Sequence, residues 1–276
     1  MIETRHPKSF SSVLAIPLLA VVASIGAGAQ QPNVQEIVKK SVAATDADFN
    51  AAPHFNYEER DRVGKGSKTY RVTMIQGSPY QRLIAINGKP LPAAQAAQEQ
   101  KKEEQVAASR RSESSGERQR RIAKFDKERT RDHLMMQQLT EAFNFTYIGE
   151  RKVRSFKVYM LKATPRPGYR PPNMQTQVLP GMQGELWIDQ QTYQWVKVMA
   201  QVIRPVSIEG FLAQVEPGTQ FEIEKSPVVG GTWQITHFAM KSSAKVLFMF
   251  NRSSQEDDTY SDYQRIGSNA NESPGR

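Results

Sequence analysis

The sequence predicts an α+β fold: a large curved antiparallel sheet, an open or half β-barrel, with an N-terminal helix and a charged helical-hairpin insert. Three observations predict it. Segments with period-two alternation recur along most of the chain, separated by turn signals. An apolar stripe of helical period precedes them, and one long run of helix-forming residues interrupts them. About a dozen strands with hairpin-length links favour one sheet that curls on itself over two separate domains.

Composition excludes several classes of protein. The chain has 276 residues, a formal charge of +9 and no cysteine. Disulfide frameworks, cysteine zinc sites and cysteine nucleophiles are therefore excluded. A mean hydropathy of −0.58 argues against a protein with several membrane spans. No nucleic-acid-binding motif accompanies the basic charge, so we expect no nucleic-acid partner.

Residues 1–29 have the pattern of a secretory signal peptide. Arg5 and Lys8 form a basic start, an apolar stretch of 13 residues runs from Val13 to Ile25, and Ala27 and Ala29 form an A-x-A cleavage pattern. An uncleaved anchor is the alternative, but the stretch is short for a span of about 20 residues. With no cysteine for lipidation, we predict a periplasmic or secreted protein, a single domain over 30–266 and a disordered tail over 267–276.

The first elements of the mature chain are a helix and a meander. Asn33 can cap a helix over 33–50, with Glu36 three residues on and an apolar stripe of Val34, Ile37, Val38 and Val42. Three strands are then predicted from their alternation and the turns between them, at about 53–60, 68–76 and 80–86.

The helical insert is predicted at about 92–143. Residues 93–111 are rich in helix formers, and Ser114 with Glu117 forms a capping box for a second helix that runs to about Phe143. From Glu99 to Asp132 there are 11 basic and 8 acidic residues. Such a run indicates a solvated helical face, and the alternative is a mobile hairpin that covers or contacts something.

Strands resume after the insert. Two are predicted at 145–150 and 155–163 with a link at Arg151 and Lys152, followed by a proline-rich connector over 164–180 that excludes a helix or a central strand. Asp189 is interpreted as a turn-capping carboxylate. The remaining predicted strands, each bounded by turn residues, are 184–189, 193–203, 210–215, 219–226, 233–242, 245–251 and 259–266.

One of these hairpins carries a resemblance to a known group. Gly184–Asp189 (Gly-Glu-Leu-Trp-Ile-Asp) is followed, after a short turn, by Tyr193–Lys197 (Tyr-Gln-Trp-Val-Lys). This pattern resembles the central hairpin of the outer-membrane lipoprotein carrier and sorting proteins, the LolA/LolB-like fold. The segments 80–91 and 163–171 are also similar to those of an uncharacterised family of exported bacterial proteins. This second resemblance covers nearly the whole mature chain.

The LolA/LolB-like resemblance implies a half-barrel, closed by helices, that holds an acyl chain or another hydrophobic ligand. We therefore expect a non-enzymatic protein that binds a lipid, a lipoprotein acyl chain or another apolar ligand. The candidate cavity residues are large apolar side chains on predicted strands: Trp187, Trp195, Met199, Phe211, Phe221 and Trp233. The alternative is that all six pack the core against the helix at 33–50.

Signals for catalysis and cofactors are lacking in the sequence. There is no G-x-S-x-G elbow and no HExxH motif, and the remaining histidines are isolated along the chain. We expect no cofactor, no metal and no catalytic residue. The alternative function is an envelope interaction or sensor module, in which the basic insert contacts an envelope protein or an anionic membrane surface.

Overall fold

The structure is a computed structural model that describes residues 32–208, 213–246 and 250–267. The described residues belong to one compact unit. The predicted signal peptide, most of the predicted tail and the candidate residue Phe211 lie outside the described residues. None of the helices in the described ranges is long and apolar enough to cross a membrane.

The helical elements comprise α-helices and short 3₁₀ segments. The α-helices are α1 (Val34–Ala51), α2 (Ala93–Ser112), α3 (Ser115–Gln137) and α4 (Leu139–Ala142). The 3₁₀ segments are Ala52–His54, Gln175–Gly181 and Val229–Gly231. The cap residues predicted for α1 and α3 are confirmed: the Asn33 side chain accepts from the Glu36 N–H, and Ser114 and Glu117 form both halves of a capping box.

The strands alternate in direction throughout. In chain order they are β1 (Phe55–Val63), β2 (Gly66–Ile75), β3 (Ser78–Ile86), β4 (Lys89–Pro90), β5 (Phe143–Val153), β6 (Phe156–Pro165), β7 (Met182–Asp189), β8 (Trp195–Val202), β9 (Val206–Ile208), β10 (Ala213–Val215), β11 (Gln220–Pro227), β12 (Trp233–Val246) and β13 (Phe250–Arg265).

These strands form one curved, unclosed antiparallel sheet, which confirms the predicted fold class. The spatial order is β4-β3-β2-β1-β13-β12-β11-β8-β7-β6-β5, and β9 and β10 extend it beside β12. Strand β1 therefore pairs with β13, so the N-terminal meander joins the rest of the sheet through the last strand. The two ends of the sheet, β4 and β5, are separated by the helical insert in sequence.

Several predicted boundaries are wrong. The β5–β6 turn lies at Arg154 and Ser155, with Arg154 left-handed (φ 53°), because Arg151 and Lys152 continue in register with β6. The segments 233–242 and 245–251 are not separate strands, since residues 233–246 form the single strand β12. The second insert helix stops before Phe143, which already belongs to β5.

The exclusion of a helix from the proline-rich connector is also wrong. Gln175–Gly181 forms a 3₁₀ segment, and the Asn173 side chain accepts the Thr176 N–H at its start (3.1 Å). Thr176 and Leu179 are buried, at 0% and 2% exposure, so this part of the connector packs into the core. This asparagine hydrogen bond is a local turn signal inside a segment whose prolines favour extended backbone.

Cross-strand register defines two faces of the sheet. Directly opposed residues share a face, and one such row crosses nine strands: Leu161, Leu186, Val198, Ile223, Phe238, Asp258, Asp61, Lys68 and Ile86. We call this the helix-facing row, because Leu161 and Leu186 form a core cluster with Ile37 and Val38 of α1. The helix-facing row is apolar from β6 to β12 and acidic at β13 and β1.

Candidate ligand site

A cleft of about 670 Å³ lies between α1 and β5, at the end of the sheet where β5 is the edge strand. Its apolar lining comes from both walls. The lining residues are Asn33, Val34, Gln35, Val38, Lys39 and Val42 of the α1 region, and Thr140, Phe143, Asn144, Phe145 and Arg166 opposite. Ligand-binding pockets commonly have volumes of about 300–1,000 Å³, so this cleft has the size of a binding site.

The local sequence builds both walls of the α1–β5 cleft. Val34, Val38 and Val42 recur every four residues and lie on one face of α1. On β5, Phe143 and Phe145 are two residues apart and therefore point to the same side of the sheet. Val38 and Phe143 are buried at the base of the walls, at 7% and 4% exposure, while the other three side chains are half-buried.

Two basic side chains lie beside the α1–β5 cleft. Lys39 is exposed on α1, and Arg166 follows β6. The Arg166 guanidinium donates to the carbonyl oxygens of Thr140 (2.9 Å) and Phe143 (3.2 Å), and its Nη1 lies 3.7 Å from Glu141. Arg166 is therefore held beside the apolar wall of β5, where its charge is only partly compensated by one exposed carboxylate.

The predicted cavity residues do not surround one common space. Of the five that are described, none lines the α1–β5 cleft. Trp195 is 2% exposed in the core with Ile37 and Val38 of α1. Trp187 and Trp233 belong to another cluster, on the side of β6 and β8 that carries Val158 and Val196.

Met199 and Phe221, the remaining two, line a groove of about 620 Å³ across strands β6 to β13. Met199 is paired with Glu185 and Glu222, and its row on the opposite face of the sheet continues to Lys162 and Asp257. Charged and glutamine side chains together make up ten of the sixteen residues that line this groove. It does not have the apolar lining expected for an acyl chain.

A histidine and two carboxylates lie together beside this groove. The ligand atoms of Glu222, Glu224 and His237 lie within 4.8 Å of one another. The Lys197 ammonium already donates to Glu222 (2.6 Å) and Glu224 (3.1 Å). Burial opposes the charge on Lys197, but these hydrogen bonds outweigh it and raise its pKa. Lys197 thus occupies the position that a metal cation would need.

Asp189 has the role predicted from the sequence. Its Oδ2 accepts hydrogen bonds from the N–H (2.9 Å) and the hydroxyl (2.8 Å) of Thr192 and so caps the β7–β8 turn. Beside it, the Tyr193 hydroxyl accepts a hydrogen bond from Lys40 at 3.4 Å, which connects this turn to α1. The hairpin that carries the sequence resemblance is thus a packing element under α1.

Comparison with solved structures finds proteins of the group that the hairpin resembles. The chain is 11% identical to a LolA superfamily protein from Nitrosomonas europaea, with a TM-score of 0.31, over 85% of this chain and 94% of that one. A putative outer membrane lipoprotein-sorting protein domain from Vibrio parahaemolyticus is 9% identical, with a TM-score of 0.31, over 84% and 94%.

A DUF1329 family protein from Desulfovibrio piger is also similar. It is 9% identical, with a TM-score of 0.31, over 87% of this chain and 95% of that one. No protein-family model and no curated protein matches the sequence.

The sequence predicts the apolar stripe of α1, but none of the residues that line the α1–β5 cleft was expected to bind a ligand. The apolar stripe of α1 was visible as a four-residue repeat. Phe143 falls at the predicted end of a helix, although Phe143 and Phe145 alternate with the polar residues Asn144 and Thr146, which is a strand signal. Arg166 gave no signal, because its position depends on carbonyl groups of α4 and β5.

Proposed function

We propose that the protein is an exported, non-catalytic binding protein that holds an acyl chain in the α1–β5 cleft. The observation that carries the proposal is the lining of this cleft, with valines on one wall and phenylalanines on the other, and a cation beside each wall. An acyl chain with an anionic end group matches this arrangement: the chain contacts the apolar walls, and Lys39 and Arg166 attract the end group.

The energetics favour a pocket of this kind. Transferring an acyl chain of about 16 carbons into water costs on the order of 13 kcal/mol, at about 0.8 kcal/mol per CH₂. A binding protein must offset most of this cost by removing the chain from water. In the cleft, the half-buried side chains of Val34, Val42 and Phe145 offer part of such a surface, and displacement of water from them adds to affinity in proportion to the apolar area covered.

The first experiment is an extraction. The protein lacking residues 1–29 is purified, extracted with organic solvent and analysed by mass spectrometry, and the same preparation is titrated with a fluorescent fatty acid. We expect lipid in the extract or saturable binding of the probe. The proposal is wrong if the folded protein yields no lipid and binds no probe.

Matched variants locate the site. Val42→Gln introduces a polar group into the cleft, and Ala43→Gln makes the same change at the exposed neighbouring position of α1. We expect weaker probe binding for Val42→Gln and unchanged binding for Ala43→Gln. Lys39→Gln tests the anionic end group: it should weaken binding of a fatty acid and leave binding of the corresponding neutral alcohol unchanged.

A second candidate function is docking of the α2–α3 hairpin to an anionic surface. Helix α2 has no buried residue, yet both helices are held on the sheet by arginines. Arg110 donates to three carbonyl groups of the β2–β3 hairpin, and Arg121 donates to Gln76 O (3.1 Å) and Ser78 Oγ (2.7 Å). The hairpin therefore presents its outer charges from a fixed position.

Charge reversal on the outside of the hairpin separates the two functions. Exposed basic residues that can be changed to glutamate together are Lys101, Arg111, Arg120, Lys124 and Lys127. Under the docking function, co-sedimentation with phosphatidylglycerol vesicles at low salt is lost in this variant, while binding of the fluorescent fatty acid persists. Sedimentation that is equal for both proteins would exclude docking by the hairpin.

A further inference from the structure

The groove across strands β6 to β13 lies between two rows of side chains, on the face of the sheet that points away from α1. Directly opposed residues form each row. The first row, which we call the amide wall, takes one residue from each of β7, β8, β11, β12 and β13: Gln183, Gln201, Gln220, Lys241 and Gln255. The second row, which we call the charged wall, is Lys162, Glu185, Met199, Glu222, Ala239 and Asp257.

The floor of the groove is backbone. Along each strand, the position between the two walls belongs to the helix-facing side, since successive side chains alternate between the faces of a sheet. These intervening residues are Gly184, Ala200, Phe221, Met240 and Glu256. The amide wall crosses five strands, which corresponds to about 19 Å at a strand spacing of about 4.8 Å. A linear molecule can therefore lie in the groove, across the strands and between the two walls.

The glutamine amides of the amide wall are free to bind a ligand. Gln201, Gln220 and Gln255 are exposed, and Gln183 is half-buried. Directly opposed side chains can reach one another, yet none of these four amides hydrogen-bonds to another described residue. Each amide has two N–H donors and a carbonyl acceptor. The amide wall thus presents donors and acceptors that the described part of the fold does not use.

The charges of the other wall are compensated within the protein. Glu185 is directly opposite Lys162 and accepts a hydrogen bond from the indole N–H of Trp187 at 3.1 Å. Glu222 accepts from the ammonium of Lys197 at 2.6 Å. Carboxylates with basic neighbours select neither a cation nor an anion, because either ion would meet a like charge beside its partner. The groove therefore suits a ligand that is polar and neutral.

The spacing of the amide wall distinguishes between linear ligands. Its side chains recur once per strand, at intervals of about 4.8 Å. An extended peptide advances by only about 3.3 Å per residue, so its polar groups fall out of step with the amides. Pyranose rings joined by β-1,4 linkages advance by close to one strand spacing per ring. Their hydroxyl groups both donate and accept hydrogen bonds, as the amides do.

We propose that this groove binds a neutral, extended β-linked glycan, with the glutamines of the amide wall hydrogen-bonding to its hydroxyl groups. Met199 and Ala239 interrupt the charged wall with apolar atoms, which suit the C–H groups of sugar rings. The site is separate from the α1–β5 cleft, since the two share no lining residue. Glycan binding is therefore independent of the acyl-chain binding proposed above.

Calorimetric titration of the purified protein with cellotetraose and with chitotetraose tests the proposal. Both are neutral β-1,4-linked chains, and maltotetraose, whose α-linkages curve the chain, is the control ligand. We expect saturable binding of at least one β-linked chain with a dissociation constant at or below about 1 mM, and at least about tenfold weaker binding of maltotetraose. The proposal is overturned if neither β-linked chain binds saturably, or if maltotetraose binds equally well.

Matched variants locate the site. Gln201→Ala and Gln220→Ala remove adjacent exposed amides from the middle of the amide wall, and each should weaken glycan binding by about three- to tenfold. Gln255→Ala should also weaken it, whereas Gln264→Ala, at an exposed position of the same strand outside the groove, should leave it unchanged. Equal binding by the parent protein and Gln201→Ala/Gln220→Ala overturns the proposal.

The fluorescent fatty acid separates this proposal from the previous one. Its binding should be equal in the parent protein and in all of these variants, because they leave the α1–β5 cleft intact. Loss of glycan binding with retained fatty-acid binding supports the glycan site. Loss of both ligands in Gln201→Ala/Gln220→Ala would show a general change of the sheet and would count against a separate glycan site.

Discussion

The carboxylate of Asp48 and the ammonium of Lys225 lie 2.7 Å apart, and both side chains are buried. Asp48 belongs to the last part of α1 and Lys225 to β11. The second carboxylate oxygen of Asp48 accepts the backbone N–H of Trp233 at 3.1 Å, at the start of β12. One side chain thus fixes the end of α1 to two neighbouring strands.

Removing one partner of this pair should be strongly destabilising. Burial lowers the pKa of Lys225, and Asp48 counteracts this by favouring the charged form. Asp48→Leu leaves the ammonium buried without its carboxylate, for which we expect a loss of about 3–5 kcal/mol in the free energy of unfolding. Chemical denaturation measures this loss in the free energy of unfolding. Combining Asp48→Leu with Lys225→Met should restore much of the loss, and equal values for the single and double variants would contradict this account.

An exposed ion pair on the same helix is the control. Glu36 and Lys40 are 2.7 Å apart on the outside of α1. Solvent screens this pair, so Lys40→Met should change the free energy of unfolding far less than the Asp48 substitution. A comparable loss would mean that the exposed contacts of Lys40 with Glu36 and Tyr193 hold α1 as firmly as the buried pair does.

Arg110 should control the attachment of the helical insert. Its guanidinium donates to the carbonyl groups of Ile75 (3.0 Å), Ser78 (2.7 Å) and Pro79 (3.1 Å). Arg110→Gln should lower the free energy of local opening by about 1.5–3 kcal/mol. Cleavage of the insert by a glutamate-specific protease should then be roughly 10- to 100-fold faster. Arg111→Gln, at the exposed neighbouring position, should be cleaved like the parent protein.

The cluster around Lys197 should stabilise the protein only when its glutamates are ionised. Burial opposes ionisation of Glu224, but Lys197 and Arg154 outweigh it and hold the pKa of Glu224 below its ordinary value of 4.5. Its contribution is therefore present above about pH 4.5 and is lost as the pH falls through the lower folded-state value. Lys197→Met should reduce stability at neutral pH, and the difference from the parent should shrink on acidification. A pH-independent difference would indicate lost packing instead.

Gly184 should tolerate no side chain. A Cβ atom there would lie 2.3 Å from the carbonyl oxygen of Met199 on the neighbouring strand. We expect Gly184→Ala to cost at least about 1–3 kcal/mol, measured by denaturation. Gly116→Ala is the control, because its Cβ meets nothing within 4 Å at the start of α3. This change should be neutral or stabilising.

Local signals predicted much of the fold. The caps at Asn33 and Ser114 involve residues three positions apart, so their hydrogen bonds are encoded in adjacent sequence. Period-two alternation is also a property of adjacent sequence, and it predicted the positions of most strands. The exceptions are positions whose structure depends on contacts with residues distant in sequence. The 3₁₀ segment Gln175–Gly181 is buried under other elements, and the β5–β6 turn lies at Arg154 because β5 and β6 remain paired beyond Lys152.

The candidate sites could be predicted less well. Trp187 and Trp195 lie close to the same hairpin turn. They nevertheless pack in different clusters, because successive residues alternate between the two faces of the sheet and a bulge between Trp187 and Ile188 shifts the register. The Asp61–Asp258 pair of the helix-facing row could be predicted even less well from the sequence. Asp61 belongs to the first strand and Asp258 to the last, and only the pairing of β1 with β13 brings them together.

The pairing of β1 with β13 also sets the order of assembly. Strands β1 to β4 can form a meander as soon as they are synthesised, but in the sheet their neighbour is β13, whose residues come almost two hundred positions later. Until then β1 is an unpaired edge, which is a template for wrong association. Contacts of such high sequence separation form slowly. We therefore expect completion of the sheet to be a late folding step, during which chaperone protection of the newly synthesised chain matters most.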